Sequence, residues 1–128
     1  MTHYPQINAL HRATRVQLTT TPAIIKLGDG LRAKARLQIV SATGGLLQLT
    51  KALGGGDFVE VAFQTHAGNV QGMAEMLDPV RSAPGSVFQP FRFVALDDDD
   101  HQVLHRIIEE ENHRDFLGLR SSDWSRSF

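Results

Sequence analysis

The chain has 128 residues, with 13 Lys and Arg against 14 Asp and Glu, a hydrophobic share of 41% and no cysteine. One domain with an ordinary core is the expectation at this size. The balanced charge argues against a protein that coats a nucleic acid polymer, and the lack of thiols excludes disulfides, thiolate metal sites and a cysteine nucleophile. No basic segment with a long apolar core opens the chain, and no apolar run is long enough to span a bilayer, so the reading expects a soluble, cytoplasmic protein without membrane insertion.

In chain order, residues 1–9 read as an amino-terminal arm. His11-Arg12-Ala13-Thr14-Arg15 follows, setting two guanidiniums at the entrance to a first strand expected over Arg15 to Thr20. Arginines so placed can swing over a sheet, make paired bonds to phosphate and stack on flat bases. Two solvated arginines on a loop are the plainer alternative. Gly28-Asp29-Gly30 can take the positive backbone angles of a tight turn. Beyond it Leu31, Ala33, Ala35, Leu37 and Ile39 alternate with Arg32, Lys34, Arg36 and Gln38, the period of a half-buried strand. The basic side of that strand, flanked by Lys26, is read as the wet face of an antiparallel sheet in preference to a phosphate grip, because total charge is balanced.

Thr43-Gly44-Gly45, Gly54-Gly55-Gly56 and Ala67-Gly68-Asn69 are expected to turn the chain in the same way as the first glycine pair. Between and beyond them, Val59, Val61 and Phe63 form one strand face, Val70, Ala74 and Met76 another, and Phe91, Phe93 and Ala95 a third. Arg81 to Ser86, containing Pro84-Gly85, reads as a longer loop. Six or so strands with short connections imply a mainly β protein, a meander curled into a small antiparallel barrel. The period then changes: from Asp98 onward Val103, Leu104, Ile107 and Ile108 fall at helical spacing, preceded by the acidic run Asp97 to Asp100. The stripe is expected to pack on the barrel or on a partner. Arg120 to Phe128 reads as a tail.

Chemistry-bearing patterns are few. Four successive aspartates diverge around a helix start and cap it more readily than they converge on a cation. His101 and His105, four apart, could share a metal with Glu109 or His113, but Gln102 stands where a zinc-protease helix has glutamate. Packed or solvated histidines are the reading, with no metal. His3, His11 and His66 show no catalytic spacing. The triple glycine is not followed by the Lys-Ser or Lys-Thr of a phosphate-binding loop, and no nucleophile elbow occurs. The expectation is a binding module and not an enzyme.

These pieces together resemble the bacterial PilZ family, whose members carry Arg-x-x-x-Arg before the first strand and Asp/Asn-x-Ser-x-x-Gly at a later strand-to-strand turn. Arg12 and Arg15 stand in the first motif region, with His11 four places before Arg15. Ile39-Val40-Ser41-Ala42-Thr43-Gly44 stands at the second, with Ser41 and Gly44 matching and Ile39 in the Asp/Asn position. The resemblance covers residues 10–112 and leaves 113–128 as a tail. It implies a six-stranded antiparallel β-barrel with a C-terminal α-helix, acting as a regulatory receptor for the messenger cyclic di-GMP with no other cofactor. His11, Arg12, Arg15, Ser41 and Gly44 would then form the ligand site: the arginines clamp phosphate and guanine, and the turn is shaped by Ser41 and Gly44. Binding would order the arm and alter what the barrel shows to a downstream protein. The alternative is a PilZ-like adaptor that does not bind the nucleotide, meeting a partner or a second copy in a homodimer through the helix stripe, Trp124 and Phe128.

Overall fold

Alternating side chains and glycine-rich turns build a sheet in a computed structural model that describes residues 2–3 and 14–116. Its strands are β1 (Thr2–His3), β2 (Val16–Lys26), β3 (Arg32–Ser41), β4 (Gly44–Leu49), β5 (Phe58–Thr65), β6 (Gly68–Met76), β7 (Arg81–Ala83) and β8 (Ser86–Asp97), followed by the helix α1 (Asp98–Phe116). Six of them run in the order β8, β4, β3, β2, β5, β6, and β6 pairs back onto β8, so the barrel is closed with every neighbour antiparallel. Ile25, Leu37, Val40, Leu47, Val61, Val70 and Met76 fill its interior without solvent exposure. At about 1.5–3 kcal/mol for each large apolar side chain removed from water, this core is the main source of stability. The two short strands β1 and β7 add to β8 outside the cylinder.

The connectivity corrects the expected meander. After the hairpins β2–β3–β4 the chain crosses an end of the barrel through residues 50–57 and sets β5 beside β2, a Greek-key arrangement. Periodicity locates strands but not their neighbours, and the length of this connection is the local sign that it is not a hairpin turn. Gln89, fully buried on the inner face of β8, holds the crossing in place. Its amide Nε2 donates to the carbonyls of Leu53 and Leu77, each at 2.8 Å, and its Oε1 accepts from the Leu53 N–H at 2.9 Å.

Other corrections have local causes. β2 runs to Lys26, well beyond Thr20, and tolerates Pro22 because its ladder with β5 begins only at Ala23. Leu31 precedes β3 and is 64% exposed. An irregularity between Leu37 and Ile39 reverses the parity of β3, so Val40 points inward where Ile39 was expected. A second shift, between Met73 and Ala74 opposite Ala95 and Phe93, does the same on β8 and buries Leu96 in place of Ala95. Arg81 to Ser86 is a hairpin in place of a loop: Ala83 pairs with Ser86 across Pro84-Gly85, with Gly85 at a φ of 74°.

The helix lies against the barrel wall. Leu104, Ile107 and Ile108 are buried and Val103 packs on the core, so the apolar stripe is taken up within the domain and cannot also face a partner, as the adaptor alternative required. Asp100 accepts a bond from the Gln71 N–H at 3.0 Å, and Glu110 pairs with His66 in the β5–β6 turn, so the helix is tied to the same hairpin at its first turn and again further along. Among the described residues no helix is long and apolar enough to cross a membrane.

Candidate functional site

The two motif regions meet through the β2–β3 ladder. Val16 pairs with Val40 and Gln17 with Ile39, which brings Arg15, the residue before β2, beside Ser41, the residue after Val40. Arg15 is exposed. His11 and Arg12 lie outside the described residues, as does the tail with Trp124 and Phe128.

Ser41 ends β3, and its hydroxyl organises the turn that follows. Its Oγ accepts from the Thr43 N–H at 3.2 Å, lies 3.2 Å from Thr43 Oγ1 and donates to the Gly44 carbonyl at 3.4 Å. A serine used in this way replaces a backbone turn bond, which is why Ala42-Thr43 can reverse the chain without glycine. Gly44 and Gly45 were expected to supply positive angles there, and neither does. Gly44 is instead the first residue of β4, paired with Ser41 on one side and Arg92 on the other. A Cβ at Gly44 would stand 2.2 Å from the Phe91 carbonyl oxygen and 2.8 Å from Arg92 Cα. Its role is close approach of two backbones.

That approach brings in Arg92 and its partner Glu75, which reading the sequence did not assign to the site. Arg92 on β8 is the neighbour of Gly44, and its Nε donates to Glu75 Oε1 on β6 at 2.6 Å. The Arg92 side chain is 44% exposed, so its guanidinium is both positioned by a carboxylate and open to solvent. Ile39 sits between Gln17 of β2 and Leu46 of β4 on the face away from Val40. The barrel end therefore presents Arg15 and Arg92 on either side of the Ser41–Gly44 turn, with apolar Ile39 and Leu46 between the flanking strands. Two guanidiniums can engage phosphate or the edge of a purine by paired N–H bonds. Ile39 offers no such bond.

The histidine pair considered for a metal is arranged otherwise. The His101 and His105 rings stack with centroids 6.3 Å apart and planes within 12°, and His105 Nε2 lies 3.1 Å from Glu109 Oε1. Among the described residues no three His, Asp or Glu side chains gather as a metal site.

No family model matches the sequence, and no curated protein matches it. Solved structures do. The PilZ domain of YcgR from Escherichia coli, determined with c-di-GMP, superposes with a TM-score of 0.64 at 19% identity over 84% of this chain and 97% of that one. The fold is that of a PilZ domain. The Bacillus subtilis inhibitor of motility MotI/DgrA matches with a TM-score of 0.67 at 11% identity, over 81% of this chain. MrkH of K. pneumonia in its apo state matches at 0.68 and 10%, over 89%. This chain spans about half the length of both, 53% and 55%. Within this fold, the Ser41–Gly44 turn and Arg15 are neighbours across the β2–β3 ladder at one end of the barrel.

Proposed function

We propose that this domain is a regulatory receptor for cyclic di-GMP, a binding module in place of an enzyme. The observation that carries the reading is the strand register that sets Arg15 beside the Ser41–Gly44 turn in a PilZ fold. The YcgR domain of the same fold was solved with c-di-GMP, and MrkH is described as a c-di-GMP-dependent transcription regulatory factor. In this proposal Arg15, with Arg12 and His11 before it, draws the ligand's phosphates and guanine onto the barrel end, while Ser41 and Gly44 keep the turn low enough for the ligand to approach. Arg92, held by Glu75, supplies a further cation from β8. Occupation of the site would fix the segment before β2 and so change the surface offered to a downstream protein.

A second reading, an adaptor of the same fold that has lost the nucleotide, is favoured by one residue: Ile39 stands where the family has Asp or Asn. In this version its contacts would come from exposed apolar side chains such as Phe58 and Val80, 58% and 68% exposed, and not from α1. Isothermal titration separates the two. Cyclic di-GMP is expected to give saturable heat with the wild-type domain, and Arg15→Ala to weaken binding about tenfold or more, the loss of one charge-assisted bond. Ile39→Asp is expected to strengthen it by about tenfold, since a carboxylate there regains a hydrogen-bond acceptor for guanine or arginine. Saturable heat with Ile39→Asp alone would favour the adaptor; none with either protein would retire the receptor.

A further inference from the structure

The outer face of β2, β3 and β4 carries a half-open groove of about 510 Å³, lined among others by Pro22, Ile24, Lys34, Arg36, Gln48 and Thr50. Strand register explains its make-up. Lys34 pairs with Ile24, and Arg36 pairs with Pro22 on one side and Gln48 on the other, so two cations stand on one strand face beside an apolar wall. Residues two apart on a strand are about 7 Å from each other, within reach of one small ligand. Gln48 is fixed: its Nε2 donates to Ser86 Oγ at 3.2 Å and its Oε1 accepts from Gln38 Nε2 at 3.1 Å. Ile24 is 41% exposed.

Among the described residues this charge has no carboxylate partner. No Asp or Glu lines the groove, and among the described residues neither Lys34 nor Arg36 takes part in an ion pair. A concave, mainly apolar wall with a few fixed polar groups is the usual form of a small-molecule site, and the volume falls in the usual range. Along β3 Arg36 lies roughly 16 Å from Ser41, too far for one ligand group to touch both.

We infer that this groove is a second ligand site, for a small organic anion in which a phosphate or carboxylate is joined to an apolar or aromatic body. Lys34 and Arg36 hold the anionic end, and Pro22 and Ile24 cover the body. The inference is independent of the cyclic di-GMP reading and uses none of its residues. Its test is titration of nitrogen-labelled protein with phenyl phosphate, followed by amide chemical shifts, with inorganic phosphate and phenol as parallel arms. Saturable shifts centred on Ile24, Arg36 and Gln48 are expected with a millimolar dissociation constant, and inorganic phosphate and phenol are each expected to bind more weakly. The exposed double variant Lys34→Gln/Arg36→Gln should weaken phenyl phosphate about tenfold, while Arg15→Ala leaves it unchanged. Shifts centred on Ser41, the absence of saturation, equal binding of either fragment, or loss of binding in Arg15→Ala would each overturn the second site.

Discussion

Gly44→Ala is expected to lower the stability of the barrel by about 3 kcal/mol, read as a fall of roughly 10 °C in the midpoint of thermal unfolding. The atoms that an added methyl would meet are the carbonyl of Phe91 and the Cα of Arg92. These are backbone atoms of the adjacent strand, so no rotamer change relieves the contact. The ladder from Gly44↔Arg92 to Leu49↔Val87 would have to open at its first pair. Stability of a domain this size is only about 5–15 kcal/mol, so the loss is a large share of it. Gly28→Ala is the control: nothing lies within 4 Å of its added methyl, and its φ is not positive. That substitution should leave the midpoint unchanged or slightly raised, because alanine has fewer unfolded conformations to lose. Equal effects of the two changes would show that β4 and β8 do not approach as described. Because the effect at Gly44 is structural, lost nucleotide binding in Gly44→Ala would not by itself identify a ligand contact; Arg15→Ala is the cleaner probe.

Gln89→Leu should be comparably damaging, by on the order of 3 kcal/mol, although it exchanges a polar side chain for an apolar one of similar size inside a hydrophobic barrel. Burial of leucine is favourable in isolation. Here the substitution strands the Leu53 N–H, the Leu53 carbonyl and the Leu77 carbonyl, each now bonded to the Gln89 amide. A buried backbone group left without a partner carries its full desolvation penalty, and that penalty outweighs the transfer gain of the leucine. Urea unfolding of Gln89→Leu against Gln48→Leu checks the point, since Gln89 is fully buried and Gln48 only half-buried. The first should shift the midpoint strongly and the second by less than about 1 kcal/mol equivalent. A neutral Gln89→Leu would mean that the crossing segment finds other partners.

How much of this was legible beforehand follows from where each signal resides. β5 and β6 were plain: Val59, Val61 and Phe63, then Val70, Ala74 and Met76, keep a strict two-residue period and are all buried. The helix was equally clear, since Leu104, Ile107 and Ile108 recur at helical spacing and its acidic first turn marks the start. Ile39 and Ala95 were placed on the wrong face because each lies beyond a register shift, and an inserted residue leaves no trace in composition. Sheet order was beyond reach for the same reason that Arg92 was. Its adjacency to Gly44 joins positions far apart in the chain through a ladder that no local pattern encodes. Arg15 and Ser41 could be singled out by motif spacing, but the work done by the Ser41 hydroxyl, three contacts within its own turn, is a matter of coordinates.

The position of β8 has a consequence for synthesis on the ribosome. It is the strand that bonds to both β4 and β6. Until it emerges, the earlier strands can assemble only into an open five-stranded ribbon, with β4 and β6 as unsatisfied borders. At ordinary translation speed that interval lasts on the order of seconds. Bare borders of this kind invite pairing with other nascent chains. The segment from Ser86 to Asp97 thus acts as a seal, and a translational pause placed just upstream of Ser86 would lengthen the period in which polysomes risk clumping.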